Sequence, residues 1–407
     1  MTTTDRDGRA GASALARLVG SDLDAFRAAW GRSQWLHHGP GYADLLDPPA
    51  IDELLSTRGL RTPFLRVAKN GRPFPERTFT SGGGVGAAVA DQLDDARLAA
   101  LFADGATIVL QGLHRTWAPI AEFVRDLAAD LGHPVQANAY ITPPQSQGFS
   151  AHYDVHDVFV LQLSGEKRWV IHEPVLQWPM RDEPWETGGR RDLVARAAEG
   201  EPALDVVLRP GDCLYLPRGY LHAATALGGV SAHLTLGVHT WTRHHLATDV
   251  MRQALARAGD LRAPLASGVD VGDPAAIAED AAAVRAALVA AIDEISDADL
   301  AAALTRRADD SGRPAPVSPL AQAAAARAAD DDTVVRLRRH LRLRRYDGDG
   351  TTRLVGRGVD VVLDPAPRAE LLDVLLDGDD HRVADLPGDG VTELVRRLLT
   401  VSVLVPA

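Results

Sequence analysis

A single cysteine, Cys213, stands in 407 residues, which excludes an internal disulfide framework and any Cys-x-x-Cys metal knuckle. No run of eighteen apolar residues occurs, so no transmembrane helix is expected. The opening stretch MTTTDRDGRAGAS carries no apolar core, and a secretory signal is not expected either. The reading is of a soluble, cytoplasmic protein. Lysine is nearly absent: Lys69 and Lys167 are the two examples, and every other basic side chain is arginine. Each of those lysines therefore calls for a reason. The formal charge of −12 argues against a protein that coats nucleic acid or an anionic membrane. Aromatic residues disappear part-way along the chain. Every Phe precedes residue 160, every Trp lies at or before Trp241, and Tyr346 alone follows. A boundary near residue 242 is the simplest explanation.

What is present divides the chain into three expected parts, 1–241, 242–307 and 308–407. The first begins with helical stretches at 21–30 and 88–102 around a Pro/Gly-rich strand region, 62–80. From Thr107 it changes to short apolar runs bounded by turns, broken by an amphipathic helix at 118–131. Gly/Pro punctuation every ten or so residues with period-two alternation is the pattern of a β-sandwich or jelly roll. Arg209-Pro210-Gly211-Asp212 reads as a turn between strands. The second part is alanine-rich. Asp273-Pro274 resembles an N-cap with proline at the first helical position, and Ile277, Ala281, Val284, Leu288, Ile292 and Ile295 follow as a narrow apolar stripe. Ser296 to Asp299 resembles a capping box. Such helices are too poor in large residues to form a core alone, so a partner helix is expected, from this chain or a second copy. The third part reads as a small α+β module. A helix at 319–329 precedes an arginine-studded strand region, 334–346, a hairpin at 354–364, helices at 368–376 and 391–399, and a last strand at 401–405. Short helices ending on a β-wing suggest winged-helix topology.

The chemistry concentrates between Asn138 and His172. His152 and Asp154 are separated by one residue, so on a strand their side chains share a face. A third donor would come from elsewhere, and His222 is the natural candidate, seventy residues on, within GDCLYLPRGYLHAA. Two imidazoles and a carboxylate form a facial triad with three positions left open, the set suited to non-haem Fe(II) oxygenases. His-x-Asp alone also occurs as a structural histidine beside an aspartate. His156 shares the parity of His152 and Asp154. A metal that must keep open positions cannot take five protein ligands, however, so His156 and Asp157 are read as supporting or packing residues. Trp117 and Trp169 are read as core aromatics.

The run NAYITPPQSQGFSAHYD, then DVFVLQLSGEKRW, then GDCLYLPRGYLHAA resembles the ribosomal-oxygenase branch of the JmjC/cupin proteins. The resemblance covers residues 20 to 241 and extends more loosely to the end. It implies an α+β chain: a double-stranded β-helix (jelly roll, cupin, JmjC) core, a helical dimerisation domain and a C-terminal winged-helix module. It implies an Fe(II)- and 2-oxoglutarate-dependent oxygenase that uses O2, hydroxylates a protein side chain and releases succinate. It further implies that His152, Asp154 and His222 hold the metal and form the catalytic centre. Lys167, fifteen residues after the first ligand, would pair with the distal carboxylate of 2-oxoglutarate as a compact point charge. Its competing reading is an exposed hairpin residue, because Ser164-Gly165-Glu166-Lys167 resembles a turn. Asn138 and His233 match cosubstrate-binding positions; a turn-capping asparagine and a core histidine are the alternatives. Tyr140, Thr142 and Ser231 could supply further hydroxyls. Gln147, Gly148 and Phe149 are expected to shape the substrate mouth, with Phe149 otherwise a core residue.

For the substrate, the TPPQSQGF loop is closer to relatives that hydroxylate histidine in ribosomal proteins than to bacterial arginine hydroxylases. A protein or peptide substrate, a ribosomal protein among the candidates, and a homodimer are the expected partners. Two other readings compete. A catalytically silent cupin that binds a peptide or small molecule predicts a missing ligand. A nucleic-acid regulator would use Arg336, Arg338, Arg339, Arg342, Arg344 and Arg345, the only basic run, but neighbouring aspartates favour a solvated, salt-bridged surface.

Overall fold

The structure, a computed structural model, describes residues 13–147 and 149–407. It divides into two compact units, one ending at Thr240 and the other running from Trp241 to Ala407.

The first unit is built on two long antiparallel strands, Asp157–His172 and Leu221–Val238. They pair from Asp157 opposite Val238 to His172 opposite Leu221, with the register broken between Leu227 and Ala232 and again between Ala232 and His233. The break has a local cause. Gly165 sits at φ 64°, and a Cβ there would lie 2.2 Å from the Val230 carbonyl oxygen. The amide of buried Gln162 holds the bulge, donating to the carbonyls of Ser164 (2.9 Å) and Gly165 (3.2 Å) and to Ser231 Oγ (2.9 Å). The SGEK stretch is therefore a bulge inside one continuous strand, not a hairpin tip. β-Bulges bend a strand and re-aim the side chains beyond it.

That bend lets the two halves of Asp157–His172 take different neighbours. Asp212–Leu216 pairs with residues 158–161, and Leu204–Leu208 pairs with 167–171. The intervening Arg209–Asp212 turn is closed by the Asp212 carboxylate, which accepts from the Arg209 N–H at 2.7 Å. Across the sheet, Leu221–Val238 continues to Val135–Thr142, Thr107–Leu110 and Leu65–Lys69. Alternation along the long strand sorts its side chains. Phe159 and Leu161 join the main core with Phe26, Tyr215 and Leu234, while Val158, Val160, Lys167 and Trp169 face a cavity. The helix Ala118–Leu131 closes that core with Ile120, Phe123, Val124 and Leu127, and stops at Gly132 in the left-handed region.

Two helices begin later than their periodicity suggests. The expected 88–102 helix starts at Asp95, because Asp94 caps it by accepting from the Arg97 N–H. Gln92–Leu93 pairs instead with Thr80–Ser81. The expected Asp273-Pro274 start gives way to Ala278–Asp293. There the Asp273 carboxylate accepts from the Ala275 N–H and closes a turn.

In the second unit, Arg243–Arg257, Ala278–Asp293 and Asp297–Ser311 are helical, and the Ser296/Asp299 capping box is formed as expected. Buried Asp249 is gripped by the Arg307 guanidinium at 2.9 and 3.0 Å. The remainder holds two three-stranded sheets, with Val334–Leu337 central in one and Thr351–Gly356 in the other. Helices Pro319–Ala328, Ala369–Leu375 and Val391–Thr400 accompany them, over a core that includes Val335, Leu354, Leu372, Val395 and Leu398. In the basic run, Arg336 pairs with Asp380, and Arg345 with Asp347 and Asp373.

Replacing Gly165 by Ala combines a positive φ with a backbone collision. The expected cost is more than about 2 kcal/mol in urea unfolding, against a change within about 0.5 kcal/mol for the same replacement at exposed Gly229, whose Cβ would meet nothing.

Candidate active site

Backbone pairing brings the first and third donors together. His152 and His222 exchange both peptide hydrogen bonds, at 3.2 Å (His152 N–H to His222 O) and 2.8 Å (the reverse). Their rings stand 4.4 Å apart, centroid to centroid. The Asp154 carbonyl, accepting from the Gly219 N–H at 3.0 Å, ties the same loop down two residues on. Tyr153, between the two ligands, points the other way, and its hydroxyl donates to the Glu183 carbonyl at 2.8 Å.

The two rings have fixed tautomers. His152 Nδ1 lies 2.7 Å from the Ser150 carbonyl, and His222 Nδ1 lies 3.1 Å from the Tyr220 carbonyl. Carbonyls only accept, so both Nδ1 atoms carry the proton and both Nε2 atoms offer a lone pair. Burial, followed by the charge of His152, pushes His222 down to about 4, which keeps it neutral at pH 7. Burial alone would raise the Asp154 carboxyl. The histidines His156, His222 and His152 outweigh that and hold it below the ordinary carboxylate range. One ligand atom from each of His152, Asp154 and His222 falls within 4.8 Å of the others, the one such group of three among the described residues. Two imidazoles that each leave Nε2 as the ligand atom and one carboxylate, one face of the group open to a cavity, fit a divalent metal with free coordination positions.

The cavity, about 410 Å³, is lined by the triad together with Lys167, His233, Tyr140, Trp169 and Phe149. Lys167 is 4 % exposed, contrary to a hairpin position. Its Nζ donates to Thr142 Oγ1 at 3.0 Å, and Thr142 in turn accepts from Thr107. No carboxylate pairs with it among the described residues, and burial pulls its pKa down to about 7. A buried ammonium without a counter-charge is costly, and it marks the deep end of the cavity as the place for an anion. His233 lies beside it, stacked on Tyr140 at 4.9 Å and edge-on to Trp169 at 5.3 Å. Burial, then Lys167 and His222, hold its imidazole well below the usual range. Among the described residues its Nδ1 and the Trp169 Nε1 have no hydrogen-bond partner. Burial, then the Asp154 charge, push the Tyr140 phenol up to about 12.

Asn138 is on the same strand face as Tyr140, but its Oδ1 accepts from the Gly112 N–H at 3.0 Å and it does not line the cavity. Ser231 is turned to Gln162, while Thr142 supports Lys167. Phe149 forms wall, edge-on to Tyr140. Gln147 bonds the Phe149 carbonyl at 2.8 Å, and Gly148 lies outside the described residues. Trp169 is buried as expected but faces the cavity, and Trp117 donates to the Leu45 carbonyl. Sequence reasoning passed over Arg66, Trp185 and Glu186, which also line the cavity. Arg66 could have been found from the alternation of Leu65–Lys69. The Pro184–Glu186 segment has no periodic signal, and only the tertiary fold brings it there.

Comparison with known proteins agrees with this arrangement. Residues 116–246 match the JmjC_2 family, described as a JmjC domain. A Drosophila persimilis protein described as bifunctional lysine-specific demethylase and histidyl-hydroxylase NO66 is 44 % identical over 106 residues, 26 % of this chain and 14 % of that protein. Human ribosomal oxygenase 1 is 41 % identical over 127 residues, 30 % of this chain and 19 % of that protein. The matches thus span less than a fifth of the length of those two relatives. The Escherichia coli ribosomal oxygenase YcfD has a similar fold, with a TM-score of 0.53, 17 % identity, and coverage of 95 % of this chain and 98 % of that one. The same protein has been solved with cobalt and 2-oxoglutarate, at 16 % identity and the same TM-score and coverage. The metal triad lies within the segment, residues 116–246, that matches a JmjC domain. Over that region the chain is similar to NO66 and to ribosomal oxygenase 1.

The depressed Lys167 pKa sets the sign of a pH effect. Anion binding needs the charged amine, which predominates below about 7 and is lost above it. Affinity for succinate, measured by calorimetry, is expected to be flat below pH 6.5 and to fall by up to about tenfold per unit above pH 7.5. Lys167→Met should bind weakly at every pH, with that slope gone.

Proposed function

We propose that this protein is an Fe(II)- and 2-oxoglutarate-dependent oxygenase that hydroxylates a side chain of a protein substrate. The observation that carries this reading is the pairing, in one cavity, of a His-Asp-His triad with a buried, uncompensated lysine. His152, Asp154 and His222 would hold Fe(II), and Lys167 would receive the distal carboxylate of 2-oxoglutarate. Bound together with O2, the metal and cosubstrate supply an oxidising centre, converting 2-oxoglutarate to succinate and CO2 as the substrate gains a hydroxyl group. The chain supplies the rest. Its imidazoles are oriented by the Ser150 and Tyr220 carbonyls, which leave Nε2 as the ligand atom of each ring. Asp154 contributes one negative charge. Lys167, steadied by Thr142, sets the depth at which the cosubstrate sits, with His233 alongside. Val158, Val160 and Trp169 exclude water from the reacting end. Asn138 contributes from outside the cavity, holding the Gly112 backbone beside the sheet.

The relatives named for histidyl hydroxylation and ribosomal oxygenation support a histidine side chain of a ribosomal protein as substrate, with arginine the other candidate. The acidic charge of this chain suits a basic partner. A silent cupin predicts a missing ligand, and all three are in place. For the second unit we propose that the three helices between Arg243 and Ser311 form a dimerisation domain and that the remainder is a winged-helix module. Exposed Met251, Leu255, Val284 and Val289 on those helices support the first assignment. The aspartate pairs of the basic run weigh against nucleic acid as its partner.

The deciding experiment follows succinate formation from 2-oxoglutarate with Fe(II), ascorbate and a ribosomal protein extract. Wild-type turnover should rise with extract, and Asp154→Ala should lower it at least a thousandfold. Lys167→Ala should raise the KM for 2-oxoglutarate about a hundredfold, the loss expected when one member of a desolvated charge pair is removed. Equal inactivity of wild type and Asp154→Ala, with no iron bound by either, would sink the proposal.

A further inference from the structure

His156 lines the cavity two residues after Asp154, yet it is not one of the triad. The fold has gone to some length to seat it. Gly237, on the neighbouring long strand, has no positive φ, so its backbone would accept any residue. A Cβ there would lie 2.5 Å from His156 Cδ2 and 2.6 Å from its Nε2. Glycine in a strand interior weakens the strand, and it is found where another group must approach closely. Here the approaching group is the His156 imidazole. On its other side the ring stacks on His239, with centroids 5.4 Å apart and planes inclined by 11°. At its edge the Gln136 amide nitrogen lies 3.4 Å from His156 Nε2.

That last contact settles the proton. An amide NH2 can only donate, so His156 Nε2 accepts and Nδ1 carries the hydrogen. The slot therefore holds the imidazole with its Nδ1–H directed away from Gln136. Asp154, two residues before His156, lines the same cavity, and its carboxylate makes no hydrogen bond among the described residues. It approaches the triad through one oxygen, Oδ2, 3.8 Å from His222 Nε2.

We propose that His156 is a positioning residue whose Nδ1–H holds the Asp154 oxygen left free when the other binds the metal. The inference rests on the metal-centre reading above. The hydrogen bond would fix the carboxylate as a one-oxygen ligand and preserve the open positions that a chelating carboxylate would occupy. Gly237 and His239 set the plane of the ring, and Gln136 sets its tautomer. Partners of this kind, one bond removed from a metal, typically change affinity ten- to a hundredfold when lost.

The test uses Co(II) alone, titrated into metal-free full-length protein and read by its visible ligand-field absorption. His156→Phe keeps the stack on His239 but removes the donor. It should weaken Co(II) binding at least tenfold and alter the absorption band. His156→Asn returns an N–H and should recover affinity to within about fivefold of wild type. Gly237→Ala, which displaces the ring from the next strand, should reproduce the His156→Phe change in band and affinity. If His156→Phe unfolds before metal is added, Gln136→Leu, which frees the tautomer, decides, with an expected loss of a few-fold in affinity. Wild-type affinity and an unchanged band in a folded His156→Phe, or in Gln136→Leu where that variant decides, would overturn the proposal. Failure of wild type itself to take up Co(II) would instead remove the metal-centre reading on which it stands.

Discussion

The pair of peptide hydrogen bonds between His152 and His222 is the constraint on which the rest of the site depends. Residues seventy positions apart become nearest neighbours through main-chain geometry, before any side chain is considered. Both imidazoles then leave the backbone at one point, and a carbonyl two residues before each ring sets its tautomer. The same device is used twice, Ser150 for His152 and Tyr220 for His222. Asp154 follows because the strand parity of the first ligand places it on the same side.

The second constraint is the bulge at Gly165. Without it the long strand would run straight, and Lys167 would not lie 4 % exposed against Thr142. The bulge converts a sequence that looks like a surface turn into the floor of a cavity. Gln162, with no chemical role of its own, makes this possible by satisfying the carbonyls that the bulge leaves without ladder partners. A lysine placed so has a desolvated amine and, among the described residues, no carboxylate partner. The cost is borne by the fold and recovered when an anion arrives.

The triad was legible because its spacing is local for two members and because the third lies in a Gly/Pro-marked turn that any β-rich reading would notice. The β-sheet core was legible through alternation. Lys167 was legible in type but ambiguous in setting, since a bulge and a hairpin share the same small, turn-forming residues. Asn138 shows the limit in the other direction: strand parity puts it on the site face, while a single acceptor contact with Gly112 turns it to the backbone. Trp185 was invisible for a different reason: it reaches the cavity wall from an irregular segment that leaves no periodic trace. Helix starts at Asp95 and Ala278 were displaced because aspartate side chains captured nearby N–H groups, a competition that periodicity does not register.

The scarcity of lysine has a practical corollary. The chain has two side-chain amines, Lys69, held on the surface by Asp104, and Lys167 in the cavity. Carbon-13 methyl groups placed on these nitrogens by reductive alkylation would give a nuclear magnetic resonance spectrum with two side-chain signals. One would report bulk solvent and serve as an internal reference. The other would sense the electric field at the floor of the active site, without a single engineered substitution.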